Sequence, residues 1–85
     1  MTEQTQFGFE DLKRILVDRV GLGEADVRND PNATFDEMGL DSLAFVEIQL
    51  AMEQEYSFTI AEEDAAQIHT VQEAIDYVNR RLEEV

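Results

Sequence analysis

The chain has 85 residues, no cysteine, and 20 acidic residues against six basic ones, which gives a net charge of −14. A chain this short forms one small domain. Without cysteine it has no disulfide, thiolate nucleophile or cysteine-type metal site. The negative charge disfavours nucleic acid, because phosphates would be repelled.

No run of residues is apolar enough to span a bilayer or to act as a signal peptide. We therefore expect a cytoplasmic protein without a membrane partner. We also expect it to be a monomer. Residues 1–6 are expected to be a flexible N-terminus, and residues 7–85 a single domain.

The charge is unevenly placed. The segment from Pro31 to Asn79 holds eleven acidic residues and no lysine or arginine. Such a surface either keeps the protein soluble or docks on basic patches of partner proteins, and the sequence leaves both readings open. Repulsion among these acids also predicts that salt raises the thermal midpoint.

Helical periodicity dominates the chain, and no stretch alternates as a strand would. The first helix is predicted from Phe9 to Val20, ended by Gly21 and Gly23. Its buried face is predicted to be Phe9, Leu12, Leu16 and Val20, with Ile15 at the border. A long loop over 21–41 follows, and its apolar residues are expected to pin it to the core: Leu22, Val27, Phe35, Met38 and Leu40.

Three further helices are predicted. The second runs from Ser42 to Tyr56 with Asp41 as its N-cap, and a short third lies within 61–67. The fourth begins with a capping box formed by Thr70 and Glu73. Its apolar stripe is Val71, Ala74, Ile75, Val78 and Leu82. The prediction is an all-α bundle of three main helices plus a short third helix, with a long loop between helices 1 and 2.

The second helix carries two apolar faces. One has the larger side chains and is assigned to the core: Phe45, Ile48, Met52 and Tyr56. The other, which we name the apolar strip, lies on nearly the opposite side of the helix: Leu43, Val46 and Leu50. Because Glu47 and Glu53 flank the strip, we interpret it as a docking surface with an apolar centre and a charged rim. A helix buried on both sides is the alternative.

Ser42 is either a helix-start residue or an exposed hydroxyl that another protein modifies. The positive end of the helix dipole suits an attached phosphate, whereas the neighbouring Asp41 carboxylate opposes it. The sequence alone does not decide which effect dominates.

Other chemistries fit poorly. A catalytic triad of Ser42, His69 and Asp64 lacks any sign of a pocket or an oxyanion loop. A calcium-binding loop starting at Asp30 lacks the glycine required at its sixth position, where Phe35 stands.

The run Gly-Leu-Asp-Ser-Leu at 39–43, followed by Val46-Glu47 and by Glu-Gln-Glu-Tyr at 53–56, resembles the modification motif of acyl carrier proteins. The likeness extends over about residues 9–83. It implies a right-handed bundle of three long helices and one short one, without a catalytic group. It also implies that Ser42, flanked by Asp41 and Leu43, carries covalent 4′-phosphopantetheine, which a Mg-dependent phosphopantetheinyl transferase takes from coenzyme A. The arm would hold acyl groups as thioesters.

Three positions indicate the kind of carrier. Fatty-acid carriers usually have an acid two residues after the modified serine, an apolar second helix and a closing phenylalanine. This chain has Ala44, Gln49 and Tyr56 at those places, and it is more similar to free-standing carriers of type II (aromatic) polyketide synthases. A polar amide at position 49 suits a polyketone better than an alkyl chain.

The resemblance implies that the chain delivers malonyl units and growing polyketides to a ketosynthase and chain-length factor, a malonyl transferase, and tailoring enzymes such as a ketoreductase or cyclase. The docking residues are expected to be Leu43, Val46, Glu47, Leu50, Glu53, Glu62 and Glu63. A carrier for fatty-acid or other acyl or aminoacyl groups is the alternative within the family. An unmodified acidic adaptor is the alternative from another class.

Overall fold

A computed structural model of the protein describes residues 7–84, so the expected flexible N-terminus at 1–6 lies outside the described residues. The main helices are α1 (Phe9–Ile15), α2 (Ser42–Tyr56), α3 (Glu62–Ala65) and α4 (Val71–Glu84). Short 3₁₀ turns occur at Glu24–Asp26 and Asp36–Met38. Within residues 7–84 the chain forms no strand, only an isolated bridge between Thr34 and Thr70. The prediction of an all-α bundle with three main helices and a short third one is confirmed.

The first helix begins at Phe9 because the Asp11 carboxylate accepts a hydrogen bond from the Gly8 N–H, at 3.0 Å. Its last turn, Leu16–Val20, is π-helical, and Gly21 ends it in the left-handed conformation at φ 90°. The sequence pattern did not predict this widened turn. Ile15, expected at the border of the buried face, is fully buried, because this face is broader than one regular helical stripe.

The long loop between α1 and α2 is pinned to the bundle, as predicted. Phe35, Met38 and Leu40 are buried, and Leu22 and Val27 pack against the core while partly exposed. Backbone hydrogen bonds join the loop to the start of α4, from Phe35 N–H to the His69 carbonyl at 3.1 Å and from Val71 N–H to the Ala33 carbonyl at 2.9 Å. The loop therefore approaches α2 from a fixed direction.

Helices α2 and α4 supply much of the core. Ile48, Ala51 and Met52 of α2 are fully buried, and Phe45 and Tyr56 are half-buried. The predicted stripe of α4 is confirmed, and Tyr77, which the sequence pattern left out, is buried beside it. No helix within residues 7–84 is both long and apolar enough to cross a membrane.

Ion pairs connect α1 to the end of α2. Arg14 donates two hydrogen bonds to the Glu55 carboxylate, at 3.0 and 3.2 Å. Arg19 lies 3.5 Å from the same carboxylate. One of the eleven acids in the segment without lysine or arginine is therefore neutralised by basic residues from outside it.

Candidate functional site

The start of α2 is tightly defined. Gly39 adopts a left-handed conformation, φ 82°, and the buried Leu40 anchors the chain before the helix begins. The Asp41 carboxylate then accepts a hydrogen bond from the Ala44 N–H at 2.9 Å, which confirms it as the N-cap. These contacts hold Ser42, the first helical residue, at a fixed and solvent-exposed position.

The surroundings of Ser42 fit an attached phosphate ester. The N–H groups of Ser42 and Leu43 precede the first backbone hydrogen bond of the helix, so Ser42 lies at the positive end of the helix dipole. The opposing charge of Asp41 is partly satisfied by its own bond to the Ala44 N–H. An exposed primary hydroxyl on a rigid helix start is also accessible to a modifying enzyme.

The apolar strip lies on the surface beside Ser42. Leu43, Val46 and Leu50 are 69%, 45% and 48% exposed, while Ile48 and Met52 on the other face are fully buried. The prediction that only one face of α2 enters the core is confirmed, and the alternative of a helix buried on both sides is wrong.

The acidic residues expected around the strip differ in their surroundings. Glu47, Glu62 and Glu63 are exposed. Glu53 is half-buried, and its carboxylate accepts a hydrogen bond from the backbone N–H of Ile60 at 2.7 Å. Glu53 therefore has a structural role that the sequence did not signal, because its partner lies seven residues away in a loop.

A cleft of about 700 Å³ lies beside Ser42, between α2 and α3. Apolar side chains line much of it, including Leu40, Phe45 and Ile68. Gln49 and His69 also line it, and neither side chain has a hydrogen bond to another residue within 7–84. Sequence reasoning missed this cleft, since it arises from the spacing between helices.

The competing chemistries gain no support. Ser42 and His69 line the same cleft, but the Asp64 carboxylate accepts a hydrogen bond from the Tyr77 hydroxyl and not from His69. In the segment that was weighed against a calcium-binding loop, the Asp30 carboxylate caps a turn by accepting a hydrogen bond from the Asn32 N–H at 3.0 Å. Among the residues that the structure describes, no three histidine or acidic side chains form a metal-binding group.

Residues 10–78 match the family model described as a phosphopantetheine attachment site. Because the match covers most of the chain, the protein belongs to this family of carrier domains, and it is an acyl carrier protein. Carriers of this family hold a covalently attached 4′-phosphopantetheine group, which supplies the thiol that binds acyl groups as thioesters. They are modified by a phosphopantetheinyl transferase, interact with synthase enzymes and generally have no catalytic role of their own.

Proposed function

We propose that Ser42 is the attachment residue and that the chain carries malonyl and growing polyketide intermediates for a type II polyketide synthase. Its exposed hydroxyl lies at the first position of α2 and at the edge of the cleft. A chain tethered there can reach either the cleft or solvent, as a carrier requires. The protein contributes a fixed tether point, and the arm contributes the reach.

The observation that carries the polyketide assignment is the Gln49 side chain. It is half-buried in the cleft wall, and no residue within 7–84 accepts its amide hydrogens. An amide NH₂ has two donors, and a polyketide presents carbonyl acceptors at alternate carbons, whereas an alkyl chain that displaces water from the amide offers it no acceptor. This unpaired amide supports the proposal that the cleft takes a carbonyl-bearing chain in preference to a saturated one.

The apolar strip and its acidic neighbours complete the proposal as a docking surface. Leu43, Val46 and Leu50 supply exposed apolar area, and Glu47, Glu62 and Glu63 supply negative charge nearby. This combination fits partner enzymes whose own patches have an apolar centre and a basic rim. This surface would be used in turn by each partner: the phosphopantetheinyl transferase, the ketosynthase with its chain-length factor, the malonyl transferase, and the ketoreductase or cyclase.

Intact mass tests the attachment residue. Incubation with coenzyme A and a broad-specificity phosphopantetheinyl transferase should add one phosphopantetheine, and Ser42→Ala should abolish the addition. The matched control is Ser57→Gly, at the chain's other serine, where the left-handed backbone (φ 58°) accommodates glycine. An unchanged mass with several transferases would favour the unmodified acidic adaptor instead.

A comparison of tethered chains tests the polyketide assignment. Two arms of equal length are attached at Ser42, one saturated and one with ketones at alternate carbons, and amide chemical shifts are recorded. The ketone chain should shift the signals of Gln49 and His69 more, and Gln49→Leu should reverse that preference. Strong burial of the saturated chain in the unaltered protein would contradict the assignment and favour a fatty-acid carrier.

A further inference from the structure

The short helix α3 forms the wall of the cleft that faces α2. Glu62, Ala65 and Ala66 line this side of the cleft. Within the described range 62–65, no side chain is fully buried, and only the partly buried Ala65 packs against the core, so α3 has little apolar anchoring of its own. The neighbouring buried residues Ile60 and Ile68 hold its two ends. The position of its middle therefore depends on another contact.

That contact comes from α4. The Tyr77 hydroxyl donates a hydrogen bond to the Asp64 carboxylate at 2.9 Å. The Tyr77 side chain is only 4% exposed, and the adjacent Val78 is fully buried. Because α4 is firmly packed, Tyr77 has a fixed position, and its hydrogen bond to Asp64 holds the middle of α3 against α4.

Arg81 orients the tyrosine hydroxyl. Its guanidinium donates to the Tyr77 oxygen and to the Thr59 carbonyl, both at 2.7 Å, and lies over the rings of Phe58 and Tyr77. Since an arginine N–H occupies a lone pair of the phenol oxygen, the hydroxyl proton is directed toward Asp64. Burial and the Asp64 hydrogen bond raise the pKa of Tyr77 against the opposing effect of Arg81, so the hydroxyl remains a donor at neutral pH.

We propose that Tyr77 is a positioning residue for the cleft, holding α3 through Asp64 at the separation from α2 that sets the width of the cleft beside Ser42. Loss of the bond leaves α3 held by its ends and by the partly buried Ala65, and a four-residue helix with so few contacts opens more often. Tyr77 has this role in the protein before modification, whether the chain later tethered is a polyketide or another acyl group.

Amide hydrogen exchange on the unmodified protein tests the proposal. Tyr77→Phe should raise the exchange rates of the amides of Asp64, Ala65 and Ala66 by about tenfold, since a hydrogen bond to a charged group is lost. The amide of Met52 in the core of α2 should exchange as before. The matched control is Tyr56→Phe, which also removes a tyrosine hydroxyl, but from the last residue of α2, at the end of that helix away from Ser42.

Substitutions at the acceptor complete the test. Asp64→Ala should reproduce the effect of Tyr77→Phe, whereas Asp64→Asn should largely preserve protection because its amide oxygen still accepts a hydrogen bond. Asp64→Ala and Tyr77→Phe combined should raise the exchange rates no further than either change alone, because both remove the same contact. Unchanged exchange in α3, or an equal rise across α2, α3 and α4, would overturn the proposal. The second result would show that Tyr77 supports the whole core and not this helix in particular.

Discussion

The Glu53 carboxylate accepts a hydrogen bond from the backbone N–H of Ile60 at 2.7 Å. This bond closes the turn that follows α2, where Ser57 adopts a left-handed conformation, and it fixes the segment leading into α3. Glu53 thus belongs both to the acidic surface beside the apolar strip and to the framework beneath it. The acidic residues around that strip are not equivalent in what they do for the fold.

Charge reversal should separate these two roles. Glu53→Lys should lower the free energy of unfolding by about 1 to 3 kcal/mol, because the Ile60 N–H loses its partner. Glu47→Lys should change it by less than about 0.5 kcal/mol, since Glu47 is exposed and away from such a contact. Urea unfolding followed by circular dichroism measures both.

Partner engagement supplies the second half of that comparison. Glu47→Lys should reduce the transferase kcat/KM severalfold at low salt and less at high salt, because steering by exposed charges is screened. Glu53→Gln is the control. It removes the negative charge of Glu53 but keeps an oxygen that can accept the hydrogen bond from the Ile60 N–H, so the turn is preserved. Full transferase efficiency in both variants would contradict the docking surface.

The cap at Asp41 should influence both stability and modification. Asp41→Ala should cost about 1 kcal/mol of unfolding free energy, because the Ala44 N–H loses its acceptor. Asp41→Asn should cost much less, since asparagine also caps well. We expect modification of Ser42 to slow in the alanine variant, measured by intact mass over time. Equal slowing in the asparagine variant would mean that the charge of Asp41, and not the cap, matters to the transferase.

Paired and unpaired acids should respond in opposite directions to neutralisation. Glu55→Gln should lower the thermal midpoint at low salt, with a loss of up to about 1 kcal/mol, because Arg14 and Arg19 lose their common partner. Glu47→Gln should raise the midpoint, since it removes one repelling charge from a protein of net charge −14. Calorimetry at low and high salt measures both, and the two differences should shrink as salt is added. If the thermal midpoint of the unaltered protein does not change with ionic strength, the proposed repulsion among its acidic residues is contradicted.

The capping box of Thr70 and Glu73 should affect how the stability of the protein changes at acid pH. The Glu73 carboxylate accepts hydrogen bonds from the N–H groups of His69 and Thr70, which lower its pKa below the ordinary value. A depressed folded-state pKa contributes stability that is present above the ordinary pKa and is lost as the pH falls through the folded one. The Glu73→Gln variant should therefore be less stable than the unaltered protein at neutral pH. It should also lose less stability than the unaltered protein between about pH 5 and pH 3.

Unfolding midpoints across that pH range provide the measurement for the capping box. Glu63→Gln is the control, because the Glu63 carboxylate makes no hydrogen bond to another residue between Phe7 and Glu84. If the Glu73 and Glu63 variants lose stability in parallel as the pH falls, the capping box does not contribute to the acid transition.

The sequence by itself determined the features that depend on neighbours in the chain. Asp41 and the Thr70–Glu73 pair were predictable because helix caps act over three residues. The helix order and the exposed apolar strip followed from the period of about 3.6 residues per turn, which places Ile48 and Leu50 on opposite sides of α2. Ser42 at the helix start was visible for the same reason.

Only the tertiary structure decided what lies between the helices. Periodicity specifies which face of a helix is buried but not how far the next helix lies from it, so the cleft containing Gln49 and His69 had no sequence signal. The contacts of Glu53 with Ile60 and of Tyr77 with Asp64 join residues that packing alone brings together. The hydroxyl of Ser42 was therefore predictable from local rules, while the space beside it and the residue that holds its wall depend on the assembled bundle.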